Sequence, residues 1–265
     1  MKIGFIGCGN MGSALARAVL MTLPADHLLI YDKNEEKGRA FAEENGAVFA
    51  DASAVVSEVD YLFLGVKPQM LGDTLDSLRQ DLAARKDSLV LISMAAGMTI
   101  SSVKELSGGL PVIRIMPNLP VSVGEGLIMY VADATVGKSR LTAFLDLMKH
   151  AGLLLPLPER LIDAGTAVSG CGPAFVCLFA EALADGGVQC GLPREVATQM
   201  AEQTLVGTAK LLLESGKHPA ALKDAVCSPG GSTIEGVHVL EESAFRGSVA
   251  EAVLSSYRRN VELGK

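Results

Sequence analysis

The chain has 265 residues, 49% of them apolar, enough for one large domain or two ordinary ones with a substantial core. A formal net charge of −7 with no basic cluster excludes a protein that holds nucleic acid through a basic surface. The uninterrupted apolar runs fall short of the ~20 residues that span a bilayer, and residues 1–7 are too short for a secretory signal, so the expectation is a cytoplasmic protein with neither a membrane nor a nucleic acid as partner.

The first half alternates short apolar runs with helical stretches. Residues 2–6 read as a strand, 11–21 as a helix, 28–32 as a strand, 35–45 as a helix and 47–49 as a short strand. A strand over 61–65 precedes a helix over 71–84, and further strands follow at 89–93 and 111–115. Residues 124–131 and 153–155 extend the sheet at its edge. This alternation predicts an α/β domain over residues 1–159, a doubly wound, mostly parallel sheet covered on both faces. From residue 160 the β-type runs stop. Helices are expected over 173–189 and 193–214, from Pro219 to about 227, from about 232, and to about 261, with Gly247 separating the last two. Apolar residues such as Leu205, Val206, Leu211, Leu212 and Leu213 occupy much of the helix circumference. About a hundred residues have limited means to bury such helices. An all-helical dimerisation domain over 160–265 is therefore expected, giving a dimer at least.

Cys8, Cys171, Cys177, Cys190 and Cys227 are odd in number and widely spaced, with no CxxC pair. They read as free thiols rather than disulfides or zinc ligands. His27, His150, His218 and His238 have no ligand spacing, so no metal is expected.

Gly7-Cys8-Gly9-Asn10-Met11-Gly12 is a complete G-x-G-x-x-G between the first strand and the first helix. In that context the first glycine permits the tight turn, the second admits a pyrophosphate and the third lets helix and strand approach closely. The helix N-terminus adds free N–H groups and positive dipole charge. Asp32, twenty residues after Gly12, stands where an acid contacts a ribose hydroxyl. It suits a free 2′-hydroxyl, as in NADH, whereas Lys33 with Asn34 and Lys37 suits the 2′-phosphate of NADPH; both readings stand at this point. Val66-Lys67-Pro68, Ala95-Ala96-Gly97 and Met116-Pro117-Asn118 also follow strands. Strand carboxyl ends are where open sheets bind ligands, although small residues there also simply permit turns.

Four motifs in this order, Ile6 to Gly12, Val66-Lys67-Pro68, Met116-Pro117-Asn118 and Leu222 to Thr233 with its Ser-Pro-Gly-Gly-x-Thr core, resemble those of pyrroline-5-carboxylate reductases. Ser169-Gly170-Cys171-Gly172-Pro173-Ala174 is similar too, with Cys171 where many relatives have serine. The resemblance spans nearly the whole chain. It implies reduction of 1-pyrroline-5-carboxylate to L-proline with NADPH, NADH being the alternative. It further implies a Rossmann domain followed by a helical dimerisation domain, and homodimers that assemble into rings such as decamers. The expected cofactor contacts are Ile6, Gly7, Cys8, Gly9, Asn10, Met11, Gly12, Asp32, Lys33, Val66, Lys67, Pro68, Ala95 and Asn118. The substrate is expected near the nicotinamide, at a dimer interface, against Ser228, Gly230, Gly231, Ser232 and Thr233, with Thr233 the catalytic residue.

Physical chemistry accommodates that assignment. Gly230 and Gly231 lead into a helix N-terminus, which offers amide donors to the substrate carboxylate. The Thr233 hydroxyl can donate to the imine nitrogen or accept from its protonated form. Ser232 to Glu235 also has the form of a capping box with Ser232 as N-cap, a role compatible with binding. Cys171 and Cys227 read as packing residues. Two other classes compete. A β-hydroxyacid-type dehydrogenase would need a catalytic lysine, but none lies between Lys149 and Lys210. A non-catalytic nucleotide sensor would bind the cofactor without turning over an imine. A serine hydrolase is not supported, as G-x-S-x-G does not occur.

Overall fold

The computed structural model describes residues 1–85 and 89–263. The chain divides into two compact units, Met1–Gly170 with the chain from Tyr257 onward, and Cys171–Ser256.

The first unit is built on strands β1 (Ile3–Ile6), β2 (Leu28–Tyr31), β3 (Val48–Phe49), β4 (Tyr61–Leu64), β5 (Val90–Ser93), β6 (Val112–Met116), β7 (Gly126–Ala132) and β8 (Gly152–Pro156). They form one sheet in the order β3-β2-β1-β4-β5-β6-β7-β8. β1 to β6 pair in parallel; β7 runs antiparallel to β6, and β8 parallel to β7. The expected edge strands are thus present, and the order reverses between β1 and β4, each flanked by loops at its carboxyl end. Such a switch point opens a crevice for ligands. Strands buried on both faces need apolar residues at every position. In β4, Tyr61 and Phe63 join the core on one face, and Leu62 and Leu64 the core on the other. The first core includes a stacked pair, Phe5 and Phe63, with ring centroids 4.3 Å apart.

Helices α1 (Asn10–Leu20) and α2 (Glu35–Asn45) follow the sequence pattern. Three others carry weaker periodicity and were not expected: α3 (Ala52–Glu58), α6 (Ile100–Leu106) and α7 (Lys138–Leu147). Side-chain caps start two of them, Asp51 accepting from the Ala54 N–H and Thr99 from the Ser102 N–H. The single helix expected over 71–84 is two, α4 (Pro68–Ser77) and α5 (Arg79–Ala83). Proline is favoured in the first turn and starts α4 early, and Leu78 at φ −105°, ψ 9° leaves helical geometry and divides the pair.

Arg114 interrupts the apolar β6 and is buried. Its guanidinium lies 3.0 Å from Glu159 and 3.9 Å from Asp163. Glu159 also accepts from the Ile100 N–H at 2.7 Å. One buried cation therefore ties the middle of the sheet, the start of α6 and the segment that includes α8 (Ile162–Gly165). A π-helical turn, Thr166–Gly170, follows α8.

The second unit comprises α9 (Gly172–Gln189), α10 (Arg194–Ser215), α11 (Pro219–Val226), α12 (Ser232–Glu242) and most of α13 (Phe245–Leu263). Its buried cluster is small: Ala184, Ala197 and Ala201. Leu178, Met200, Leu211 and Leu213 remain exposed, so the apolar circumference read from sequence is not covered within one chain. α12 and α13 do not divide at Gly247. That glycine lies inside α13, and the break is at Ala244, which adopts φ 55°, the only non-glycine at positive φ among the described residues. A second difference concerns the length of the apolar stretches. The helical run Glu159–Gln189 is long and apolar enough to cross a membrane by length and composition, with 11% of its most apolar window buried. Counting only uninterrupted apolar runs overlooked it, because alanines and cysteines between the larger apolar residues sustain the average hydropathy.

Candidate cofactor and substrate sites

The loops after β1 and β4 pack back to back at the switch point. Gly7 adopts φ +99°, and a Cβ there would lie 2.7 Å from the Gly65 carbonyl carbon. A Cβ on Gly12 would strike the Gly7 carbonyl oxygen, whereas one on Gly9 would meet nothing within 4 Å. The first and third glycines therefore serve chain packing, and the second faces open space. Gly9 is the N-cap of α1, with no side-chain cap and no acidic residue in the first turn. The helix consequently offers unneutralised amides to an anion.

A cavity of about 880 Å³ lies against these loops, lined among others by Ile6, Gly7, Gly9, Asp32, Lys33 and Lys67. A smaller one of about 340 Å³ shares Gly9, Val66 and Lys67, takes in Asn10, Met11 and Gly12, and reaches Met94, Met116 and Pro117 beyond β5 and β6. The sheet thereby gathers residues from five strand ends at one edge. Cys8, Pro68, Ala95 and Asn118 line neither cavity. Cys8 and Ala95 are buried, and Pro68 opens α4. Met94 and Tyr31 also line these cavities and were not among the expected contacts; only their place at strand ends could have marked them.

Asp32 has a structural task that spacing did not reveal. Its carboxylate accepts from the Cys8 N–H at 2.6 Å and from the Asn34 N–H at 2.9 Å, fastening the glycine loop to the end of β2. Burial first, and then the Asp32 charge, push the Cys8 thiol up to about 12, so it stays protonated. Asn34 caps α2 through the Lys37 N–H. Lys33 and Lys37 line the larger cavity and have no ion-pair partner among the described residues.

In the second unit the loop before α12 has a comparable form. Gly230 takes φ +69° and has open space around it. The Gly231 N–H donates to the Ser228 carbonyl, and a side chain at Gly231 would collide with the Ser228 hydroxyl. The N-cap is Gly231, without a side-chain cap; Ser232 is already the first helical residue. The expected capping box with Ser232 as N-cap is therefore absent. Ser232 and Thr233 are both exposed in the first turn of α12. Among the described residues no group of three or more His, Cys, Asp or Glu side chains could hold a metal.

Residues 159–263 match the family model for pyrroline-5-carboxylate reductase dimerisation, and residues 2–97 match that for NADP oxidoreductase, coenzyme F420-dependent. A pyrroline-5-carboxylate reductase of Arabidopsis thaliana is 39% identical over 269 residues, covering 100% of this chain and 96% of its own length. One from Synechocystis is 41% identical over 270 residues, covering 100% and 99%. The chain belongs to the pyrroline-5-carboxylate reductase family. Solved structures of the family superpose along the whole chain. The Plasmodium falciparum protein with NADP bound has a TM-score of 0.89 at 30% identity, covering 100% of this chain and 98% of that one. The Coxiella burnetii protein has a TM-score of 0.91 at 30% identity with the same coverage. For a reductase of this family the exposed apolar helices have a ready reading, because the dimerisation model covers all of α9 to α13.

Proposed function

We infer that this chain is an oxidoreductase that reduces 1-pyrroline-5-carboxylate to L-proline with NAD(P)H, acting on a C=N bond. The observation that carries the reading is identity of 38–41% to several reductases of this name over the full chain. The dinucleotide supplies the hydride; the ring nitrogen gains one proton as the C=N bond becomes single.

The glycine loop fits the dinucleotide, since its second glycine and the uncapped start of α1 leave room and donors for a pyrophosphate. We assign Ile6 to Gly12, Val66, Lys67 and Pro68 to its binding, with Ala95 and Asn118 shaping the far loops. Asp32 organises the loop and retains lone pairs for a ribose hydroxyl. Lys33 and Lys37 support NADPH over NADH, because two unpaired cations in the cavity suit a 2′-phosphate.

The substrate carboxylate is assigned to the amides at Gly230, Gly231 and Ser232, with Ser228 shaping the turn. Thr233 holds the ring nitrogen through its hydroxyl. An imine is already electrophilic, so no stronger acid is needed in that loop. We assign residues 1–159 to cofactor binding and 160–265 to substrate binding and dimerisation. The exposed apolar faces of the second unit then meet a second copy rather than lipid, giving a cytoplasmic homodimer with a ring of dimers, such as a decamer, as its assembly. Size-exclusion chromatography with light scattering checks this; an active monomer contradicts it.

The deciding experiment is a steady-state assay following nicotinamide oxidation with pyrroline-5-carboxylate, run with each cofactor. Imine-dependent oxidation, with the higher kcat/KM for NADPH, is expected. Cofactor binding without turnover would make the protein a nucleotide sensor instead.

A further inference from the structure

Asn118 directly follows Met116 and Pro117, which line the smaller cavity, yet its own side chain is committed elsewhere. Its Oδ1 accepts from the Leu127 N–H on β7 at 2.8 Å, and its Nδ2 donates to the Ser169 carbonyl at 3.0 Å. The need for that second bond follows from the sequence. Ser169 lies in the π-helical turn Thr166–Gly170. In an α-helix its carbonyl would accept from the residue four positions on, but that residue is Pro173, which has no N–H. The next amide, that of Ala174, donates to the Cys171 carbonyl. A main-chain carbonyl deprived of its helical donor requires another. The Asn118 amide supplies it from 51 residues away. Such π-helical turns recur at functional sites.

We propose that Asn118 is a positioning residue for the hydride transfer: through Ser169 it latches the loop bearing Met116 and Pro117, which line the cofactor cavity, to the π-helical turn that Pro173 leaves short of a donor. The inference rests on the imine-reduction reading. Asn118 acts through its loop and contributes little to cofactor affinity. Releasing the latch lets the wall shift, and displacement of a reacting atom by about 1 Å costs on the order of 10²-fold in rate.

The test combines Asn118→Asp, which keeps the acceptor for Leu127 but turns the donor into a repelling oxygen, with Asn118→Ser, which is too short to reach Ser169. Both are assayed with pyrroline-5-carboxylate and NADPH beside the wild type. A fall in kcat of at least tenfold with NADPH Kd within threefold supports the latch. A raised Kd with unchanged kcat makes Asn118 a cofactor ligand and overturns it, as does no change in either. Pro173→Ala restores a main-chain donor, so Asn118→Ser is expected to cost at least threefold less in that background than in the wild type; equal costs also overturn the proposal. A wild-type enzyme inactive on pyrroline-5-carboxylate would instead remove the functional reading itself.

Discussion

Gly9→Val separates cofactor affinity from stability. Gly9 has φ −63°, which any residue adopts, and an added Cβ meets no atom within 4 Å. Reduced freedom in the unfolded chain favours the substitution by about 0.4–1 kcal/mol, while a poorer N-cap costs a similar amount. The two nearly cancel, so Tm is expected within about 4 °C of the wild type. On the proposed assignment, the open space at Gly9 is where a phosphate would approach the amides of α1. A carbon placed there holds an oxygen beyond hydrogen-bond range. Losing two charge-assisted bonds at about 1.5–3 kcal/mol each removes roughly 3–6 kcal/mol, or about 10²- to 10⁴-fold in Kd. Fluorescence titration with NADPH and a thermal melt on one preparation read both quantities. A Kd within threefold of the wild type would show that the pyrophosphate does not lie on this loop. A Tm lower by more than 10 °C would show that Gly9 is packed rather than open.

Thr233→Ala is expected to lower kcat on pyrroline-5-carboxylate by about 10-fold or more, the loss of one hydrogen bond to a charged group, while leaving NADPH Kd unchanged; turnover equal to the wild type would remove Thr233 from the mechanism. Cys8 should resist iodoacetamide in the native protein at pH 8 and react once the chain is denatured, as read by mass spectrometry; native labelling would contradict its burial. The sign of the linkage follows from its raised value. The fold favours the protonated thiol, so this stabilisation is complete below the ordinary value of 9.0 and is lost progressively as pH rises toward about 12. Chemical denaturation of wild type and Cys8→Ala between pH 8 and 11 measures the alkaline decline, which should be shallower in the variant.

The parts of the fold legible in sequence are those fixed by local pattern. β1, β2 and β4 are apolar throughout because both sheet faces are covered, and α2 begins and ends where its Asn34 cap and Gly46 stop place it. The glycine loop was equally legible, since each glycine has a task set within a few residues. What was missed depends on distant partners. Asp32 could be located but not its bond to the Cys8 amide 24 residues away. Arg114 reads as an exception in an apolar strand until Glu159 and Asp163 come beside it. The break at Ala244 has no local signal at all. A left-handed alanine costs roughly 1–2 kcal/mol, and the nearby Gly247 was the cheaper stop by every local rule.

The helices at the two proposed anion sites each start at a glycine without a side-chain cap; α4, α5, α8, α9 and α10 also lack such a cap but start at other residues. α2, α3 and α6 start with a side chain that accepts from their own first turn, Asn34, Asp51 and Thr99. α1 and α12 start at glycines with no such acceptor. α7 also starts at a glycine, but φ +69° at Gly137 gives a conformational reason for it. Gly9 at φ −63° and Gly231 at φ −79° have none. A side chain at Gly231 would require the Ser228 hydroxyl to move; one at Gly9 would meet nothing within 4 Å. A capping side chain would stabilise either helix by about 0.5–2 kcal/mol but would occupy the amides that an anion needs. Forgoing it makes physical sense where a ligand completes the cap. On the proposed assignment, the stability given up in the free protein would be recovered through the ligand's preference for the folded state, with the same amides that finish the helix holding the phosphate or the carboxylate.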